Sequence, residues 1–388
     1  MREGCHTIPG MSNDQPINYS QQTGDSHEVS TQKAPSRILI VLPNWVGDLV
    51  LATPALRVMR ERFRDTHIAF LLRSHLEDIL SGGQWADEII HWPATTKGQS
   101  RPKRRQGFLG FAAEMRDRRF DWAVLFSNSF RAALLARLAG IRSRIGYDRD
   151  GRGLLLTDRL LPERYNGKYV PIPMTRYYNA IARYLGCRNC SDHPELYTTP
   201  EEEAVVDGLF AAAGVTQGRP VVVLNPGSSF GPAKRWLPER FAEVADRLVV
   251  EHGAAMFIAC GPKEIDTARQ VAGHMRHSST VLDKPVLPLG PTKALIRRAG
   301  LLITNDTGPR HFGIAFRVPT VTIFGPTHQQ WTATNSSCER AIQVPVDCGP
   351  CMKRKCPLDH RCMRRVTGDM VVQAARELLS RRTQPVAT

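Results

Sequence analysis

Long apolar runs are the first thing this sequence lacks. None of its 388 residues falls in a stretch approaching the ~18 apolar positions that a membrane-spanning helix needs. The first 36 residues hold no apolar core flanked by positive charge, so no secretory signal is read there. Cysteine is scarce: nine residues, unevenly spread, are too few for a disulfide scaffold in a chain of this length. Cys187, Cys190, Cys260 and Cys338 lie scattered, which suits a reducing cytosol. Acidic residues are outnumbered, 37 against 52 Lys and Arg, and the net charge is +15. So basic a balance implies an acidic partner: nucleic acid, an anionic membrane surface or a phosphorylated ligand.

What is present is ordinary globular material, 42% hydrophobic and 23% charged, in a length that suits two or three domains. Residues 1–36 are rich in Ser, Thr, Gln, Asn and Gly without aliphatic periodicity and read as a disordered arm. From Arg37 the pattern changes. Short aliphatic runs at 38–42, 68–72, 88–91, 122–126 and 144–147 predict strands, with helical spacing at 49–63, 75–81, 107–118 and 129–139. A second series follows an acidic helix start at 200–203. Its strands are expected at 220–224, 254–259, 301–304 and 320–324, and its helices at 238–250, 263–275, 292–299 and 308–316. A last helix over 368–381 is opened by Thr367 or Asp369 as cap. Strands alternating with helices predict parallel sheets, hence two α/β domains, 37–195 and 196–388, with a cleft between them. The first carries 26 basic and 16 acidic residues and the second 24 and 17. The densest basic run, Lys97, Arg101, Lys103, Arg104 and Arg105, reads by itself as a solvated loop.

In open α/β sheets ligands sit at the carboxyl ends of strands, so three post-strand loops matter most. The first, Pro43-Asn44-Trp45-Val46-Gly47-Asp48, places Asp48 where a helix cap belongs. A cap explains it; so does a carboxylate facing the cleft, kept ionised by the helix dipole and ready to accept a proton. The second runs from Asn225 to Trp236. Its glycines and the hydroxyls of Ser228 and Ser229 would let backbone N–H groups approach a phosphate, and Lys234 and Arg235 could neutralise one. It lacks the spacing of a P-loop or of a dinucleotide fingerprint, so neither an ATPase nor a dehydrogenase follows. The third is Thr304-Asn305-Asp306-Thr307-Gly308-Pro309-Arg310-His311, an anion-accepting helix start in which Asp306 would favour a hydroxyl or amine.

At these loops the sequence resembles glycosyltransferase family 9, the ADP-heptose:lipopolysaccharide heptosyltransferases. The segments that carry the likeness are PNWVGDLVLATPALRVMRERF, NPGSSFGPAKRWLPERFAEVA and NDTGPRHFGIAFRVPTVTIFGPT. The resemblance implies a GT-B fold: two Rossmann-like domains, acceptor on the first, donor mainly on the second, and a C-terminal helix crossing back onto the first. It implies inverting transfer from an ADP-activated heptose to a lipid-linked core oligosaccharide, with no cofactor and no required metal. Position by position, Asp48 matches the general base and Lys234 the lysine at the donor diphosphate. Glu264 matches a carboxylate that holds the donor ribose, Asp306, Thr307 and Gly308 the donor-binding element, and His311 the histidine after it. The expected setting is cytoplasmic, peripheral to the anionic inner face of the inner membrane, as a monomer without a nucleic-acid partner.

Outside these motifs, Cys348, Cys351, Cys356 and Cys362 crowd into fifteen residues with His360 among them. The spacing admits a tetrahedral zinc site, reduced cysteines in a basic loop, or disulfides. With the net charge it also supports a rival reading, a basic nucleic-acid-binding protein with a zinc element, although no recognised nucleic-acid module is present. Another GT-B glycosyltransferase, or an epimerase, using a different nucleotide sugar would share the fold and the anion loops.

Overall fold

The computed structural model describes residues 34–93 and 107–382, with the side chains of 381–382 outside the description. The expected arm at 1–36 therefore lies almost wholly outside the described residues, as does the basic run at 97–105. Within that arm's last positions, the Pro35 carbonyl already accepts from Thr66 Oγ1 at 2.8 Å, and Ser36 N donates to Asp121 at 2.8 Å.

Two six-stranded sheets form the frame. The first comprises β1 (Arg37–Val41), β2 (His67–Leu72), β3 (Glu88–His91), β4 (Trp122–Leu125), β5 (Ser143–Tyr147) and β6 (Asp158–Leu160), in spatial order β3-β2-β1-β4-β5-β6. A small hairpin, β7 (Arg164–Tyr165) with β8 (Lys168–Tyr169), follows it. The second sheet comprises β9 (Val221–Asn225), β10 (Ala255–Ile258), β11 (Thr280–Val281), β12 (Leu301–Asn305), β13 (Thr320–Phe324) and β14 (Glu339–Gln343). Its order, β11-β10-β9-β12-β13-β14, repeats the first, and both sheets are parallel throughout. Helices cover both faces of a parallel sheet, which is why β1, β9 and β12 read as unbroken aliphatic runs instead of alternating ones. In each sheet the order reverses beside the first strand, so β1/β4 and β9/β12 open a crevice at their carboxyl ends.

The first half carries α1 (Val46–Arg62), α2 (Glu77–Leu80), α3 (Phe108–Asp117), α4 (Phe130–Leu138) and α5 (Met174–Tyr184). Pro54 lies inside α1 and cannot donate to the Val50 carbonyl one turn back. Thr53 Oγ1 takes over that carbonyl at 2.8 Å, so the helix continues. The second half carries α6 (Pro200–Ala212), α7 (Pro238–His252), α8 (Ile265–His274), α9 (Leu289–Arg297), α10 (Gly308–Ala315), α11 (Arg361–Arg364) and α12 (Gly368–Arg382). α6 opens with a complete capping box, Thr199 with Glu202, and Pro200 at its first position.

The two halves are not merely apposed. α1 packs on α5 and on α10, α2 on α9, and a single apolar core runs from Ile40, Leu49 and Leu56 through Ala294, Ile296 and Phe312 to Phe257. A cation is enclosed in this joint. Lys293 on α9 has no exposure, and its Nζ donates to Asp78 O at 2.7 Å, Ser81 O at 3.0 Å and Ser81 Oγ at 2.6 Å, all on the first half. Glu202 balances it at 3.4 Å.

One expectation is corrected and one alternative is decided. α12 does not cross onto the first domain: Val371, Val372, Ala375 and Leu378 join the second domain's core, where the helix lies on α7, β13 and β14. Its ion pairs, Arg376–Glu251 at 2.6 Å and Arg247–Asp369 at 2.6 Å, tie it to α7. The apolar stripe of α12 thus packs on the second domain, while α5 packs on α1 of the first. Thr367, not Asp369, supplies the cap, its Oγ1 accepting from Met370 N at 3.3 Å.

Replacing Lys293 with Met leaves Glu202 buried without its counter-ion and three oxygens without their donor. The expected result is a loss of about 3 kcal/mol of stability, read by denaturant unfolding. An unchanged midpoint would show that the joint does not depend on this cation.

Candidate active site

Asp48 is the third residue of α1, not its cap. Trp45 occupies the cap position and makes no side-chain capping bond, so helix formation begins two residues before Asp48 and carries the carboxylate onto the cleft side of the first turn. The position near a helix N-terminus was expected to hold it ionised. Burial wins: the carboxyl is pushed up to about 6, with Lys234 pulling it down and Asp306 adding to the rise. Asp48 thus senses two charged groups of the other domain.

Those two groups form a buried ion pair. Lys234 Nζ donates to Asp306 Oδ2 at 2.6 Å and to the Asp306 carbonyl at 3.0 Å. Asp306 follows the buried strand β12 and is 5% exposed. Its carboxylate also accepts from Thr327 Oγ1 at 2.8 Å and from Arg310 Nη1 at 3.4 Å. Arg310 in turn forks onto Glu339, at 2.6 and 3.0 Å, and donates to Thr332 Oγ1 at 2.7 Å. Charges therefore alternate along the line Glu339–Arg310–Asp306–Lys234. Although burial alone would raise the Asp306 carboxyl, Lys234, Arg310 and the Thr327 hydroxyl hold it below the ordinary value.

Asparagines at two strand ends fix the loops around this line. Asn225 Nδ2 donates to Thr304 and Thr307, both at 2.9 Å, so the Thr307 hydroxyl is engaged from β9 and does not cap its own helix. Asn305 Nδ2 donates to Pro226 O at 2.8 Å while its Oδ1 accepts from Trp236 N at 3.1 Å, clamping both ends of the second loop. Within that loop Ser228 is 2% exposed and its hydroxyl has no hydrogen-bond partner, whereas Ser229 is exposed. A buried hydroxyl left in this condition is unusual and marks a ligand-facing position. Glu264 follows β10 and lies against Gly227, leaving no room there for a Cβ; its Oε2 accepts from Gly261 N at 2.9 Å. Lys234 also sits over the Phe230 ring, 4.9 Å from its centroid.

His311 is on α10, 2% exposed, with Nδ1 unpartnered. Burial, reinforced by Arg310 and Lys234, drives its pKa down to about 3, so the imidazole is neutral. Its ring lies on Gly47: a Cβ there would stand 2.8 Å from His311 Cδ2. Gly308 reciprocates against Val46, where a Cβ would fall 2.5 Å from Val46 Cγ1. Two helix N-termini, one from each domain, thus meet glycine to side chain at the mouth of the crevice.

The structure therefore gathers Asp48, Ser228, Lys234, Asp306, Thr307, Gly308 and His311 around one crevice, with Glu264 at its β10 side and Ser229 exposed next to Ser228. Sequence reasoning passed over Asn225 and Asn305, Arg310, Thr327 and Glu339. Their polar character at strand and helix ends was visible; their pairing depends on which strands lie side by side.

The cysteine-rich segment lies against the second loop. Among the described residues no group of three or more His, Cys, Asp or Glu is arranged to hold a metal ion. All four cysteines are free thiols; Cys362 packs into the second domain's core, and His360 Nε2 donates to Ala233 O at 2.8 Å. The Arg354 carbonyl accepts from Ala233 N at 3.1 Å and closes on Gly231, whose φ of 154° suits glycine. The segment backs the Ser228–Lys234 loop from behind.

Comparison with known proteins agrees with this frame. Residues 109–361 match glycosyltransferase family 9 (heptosyltransferase). Lipopolysaccharide heptosyltransferase 2 of Escherichia coli is 28% identical over 79% of this chain and 88% of its own. Lipooligosaccharide heptosyltransferase 2 of Campylobacter jejuni is 26% identical over 88% of this chain and 98% of its own. The solved structure of E. coli ADP-heptose lps heptosyltransferase II superposes with a TM-score of 0.72, at 23% identity, over 90% of this chain and all of that one. A transferase, and not a nucleic-acid-binding protein, is what these likenesses favour. The chain belongs to glycosyltransferase family 9.

Proposed function

We propose that the chain transfers a heptose from ADP-heptose to the inner-core oligosaccharide of lipopolysaccharide. The observation that carries this reading is the meeting of the Asp48 carboxylate, from one domain, with the Lys234–Asp306 pair and the unpartnered Ser228 hydroxyl of the other. Such a crevice suits a displacement between an acceptor hydroxyl and a phosphate-activated sugar. In this reading residues 37–195 hold the acceptor and 196–388 the donor.

The chemistry follows from the charges. Asp48 takes the proton of the acceptor hydroxyl as that oxygen bonds to the anomeric carbon. The bond from that carbon to the diphosphate breaks, ADP leaves with the electron pair, and the sugar inverts. Positive charge must await the departing diphosphate, and Lys234, backed by the N-terminus of α10, supplies it without a metal. Asp306 orients Lys234 and prevents an unmatched buried cation. Neutral His311 and Ser228 offer hydrogen bonds to the donor, and Glu264 offers a carboxylate to its ribose hydroxyls. No helix among the described residues is long and apolar enough to cross a membrane. The reading places the enzyme as a monomer on the anionic cytoplasmic face of the inner membrane, where its net charge of +15 favours attachment.

Asp48 must be ionised to act, so kcat/KM falls as pH drops through about 6. Asp48→Asn is expected to lose at least ~100-fold in kcat while still binding ADP. The raised carboxyl also makes a stability prediction. Above its unfolded pKa of 3.8 the ionised group costs the folded state free energy, fully so above about 6, and below 3.8 the cost is gone. Asp48→Asn therefore unfolds at a higher temperature than the parent at pH 8 and at the same temperature at pH 3.5. Parental turnover in the variant would remove Asp48 from the chemistry.

Lys234→Met strips the donor side of its cation and leaves Asp306 leaning on Arg310 and Thr327. ADP affinity measured by calorimetry is expected to fall at least ~10-fold, with acceptor binding unchanged. Equal ADP affinity would put the diphosphate elsewhere.

A further inference from the structure

The cysteine-rich segment, residues 348–362, grips the loop that carries Lys234. Both backbone groups of Ala233 are bonded to it. Ala233 N donates to the Arg354 carbonyl at 3.1 Å, and Ala233 O accepts from His360 Nε2 at 2.8 Å. Ala233 is 2% exposed, so water does not stand in for either partner. Its carbonyl belongs to the planar peptide that leads into Lys234, so the His360 bond fixes the plane from which the lysine departs. The loop needs such a hold. Pro232–Lys234 is a three-residue 3-10 turn entered from Gly231 at a φ of 154°, and so short a turn does not set its own orientation.

The same stretch of chain reaches the support of Asp306. Met352 N donates to Pro326 O at 2.9 Å, one residue before Thr327, whose hydroxyl donates to Asp306 Oδ2 at 2.8 Å. A Cβ on Gly325 would fall 2.6 Å from Met363 Sδ, so the end of the segment lies directly on that loop. Both loops behind the Lys234–Asp306 pair are therefore braced by one element. Its far end is anchored: Cys362 and Met363 join the second domain's core, and Val366 O accepts from Trp236 Nε1 at 3.0 Å. Met352 and His360, at two of the contacts, have φ of 55° and 60°, a region that residues with a side chain rarely adopt. Such a backbone persists only where its surroundings over-determine it.

We propose that His360 is a positioning residue for the donor lysine: through Ala233 O it sets where the Lys234 ammonium stands. Residues 348–363 are the frame that holds His360 in place. The assignment rests on the reading above in which Lys234 meets the donor diphosphate. A lysine is a point charge on a flexible stem, without the fork that gives an arginine its direction. Its worth to a departing diphosphate depends on being held beforehand, because preorganised charge need not move as the bond breaks. Asp306 fixes the ammonium end of the side chain, and the His360 bond fixes the backbone end. The segment thus serves the reaction without touching the reacting atoms.

The test is a double-mutant cycle of His360→Leu and Lys234→Met, read as ADP affinity by calorimetry. In His360→Leu, which keeps bulk and loses the donor, the ADP dissociation constant is expected to rise at least ~5-fold. His360→Gln, which returns an N–H to that carbonyl, is expected to bind within ~2-fold of the parent. In the Lys234→Met background His360→Leu should add nothing, since the residue acts through that lysine. Parental affinity in His360→Leu, an equal loss in both backgrounds, or a His360→Gln loss as great as that of His360→Leu overturns the proposal. Should His360→Leu fail to fold, His360→Asn takes its place, because asparagine tolerates a left-handed backbone and its amide ends short of Ala233 O. If the parent binds no ADP, the donor reading fails by itself, and a crystal structure of the same variant decides the positioning. Lys234 Nζ drawn away from Asp306 Oδ2 upholds it, and Nζ still at 2.6 Å overturns it.

Discussion

Everything at the crevice depends on how closely two helix N-termini approach. Gly47 of α1 lies under His311 and Gly308 of α10 under Val46, and neither position has room for a methyl group. That contact sets the distance between a carboxylate on one domain and an ion pair on the other. Desolvation raises the Asp48 carboxyl to about 6, and burial of His311 lowers its imidazole to about 3. A wider gap would hydrate both groups and return each toward its ordinary value.

Behind the contact, Lys234, Asp306, Arg310 and Glu339 are each paired with an opposite charge. Burying Lys234 by itself would cost several kcal/mol, and Asp306 offsets that; Arg310 and Glu339 extend the alternation to the β14 edge. The arrangement leaves one hydroxyl, Ser228, and one ring nitrogen, His311 Nδ1, without partners beside it. In a site otherwise so fully paired, these are places for a ligand to bond. Lys293 repeats the principle at the far end of the joint, where it binds first-domain carbonyls under the balance of Glu202. Of these two lysines, Lys293 ties the halves together and Lys234 pairs within the second, beside the chemistry.

Much of this was legible in the residues. The aliphatic runs that end in Pro43, Asn225 and Asn305 mark central strands because both faces of a parallel sheet are covered, and the loops after them carry the polar residues of the site. The edge strands were less visible. β11 has two residues and β14, ERAIQ, alternates charge with apolar character, so neither has an aliphatic run. α5 escaped because MTRYYNAIARY buries tyrosines and an asparagine where an aliphatic stripe is sought. The rise of the Asp48 carboxyl to about 6 was not readable, for a physical reason. Its place near a helix start is local and readable, but the charges that act on it, Lys234 and Asp306, belong to the other domain, far along the chain. The place of the cysteine segment was hidden in the same way, since spacing along the chain says nothing of Ala233 and Gly231, the positions it supports.

The claim that both domains face one donor across this contact is tested most directly by a crystal structure with ADP bound. The account predicts a diphosphate within hydrogen-bond distance of Lys234 Nζ and the Ser228 hydroxyl, with the ribose toward Glu264 and Asp48 facing the open end of the diphosphate. A nucleotide seated on the first domain, or one that leaves Lys234 and Ser228 untouched, would contradict it.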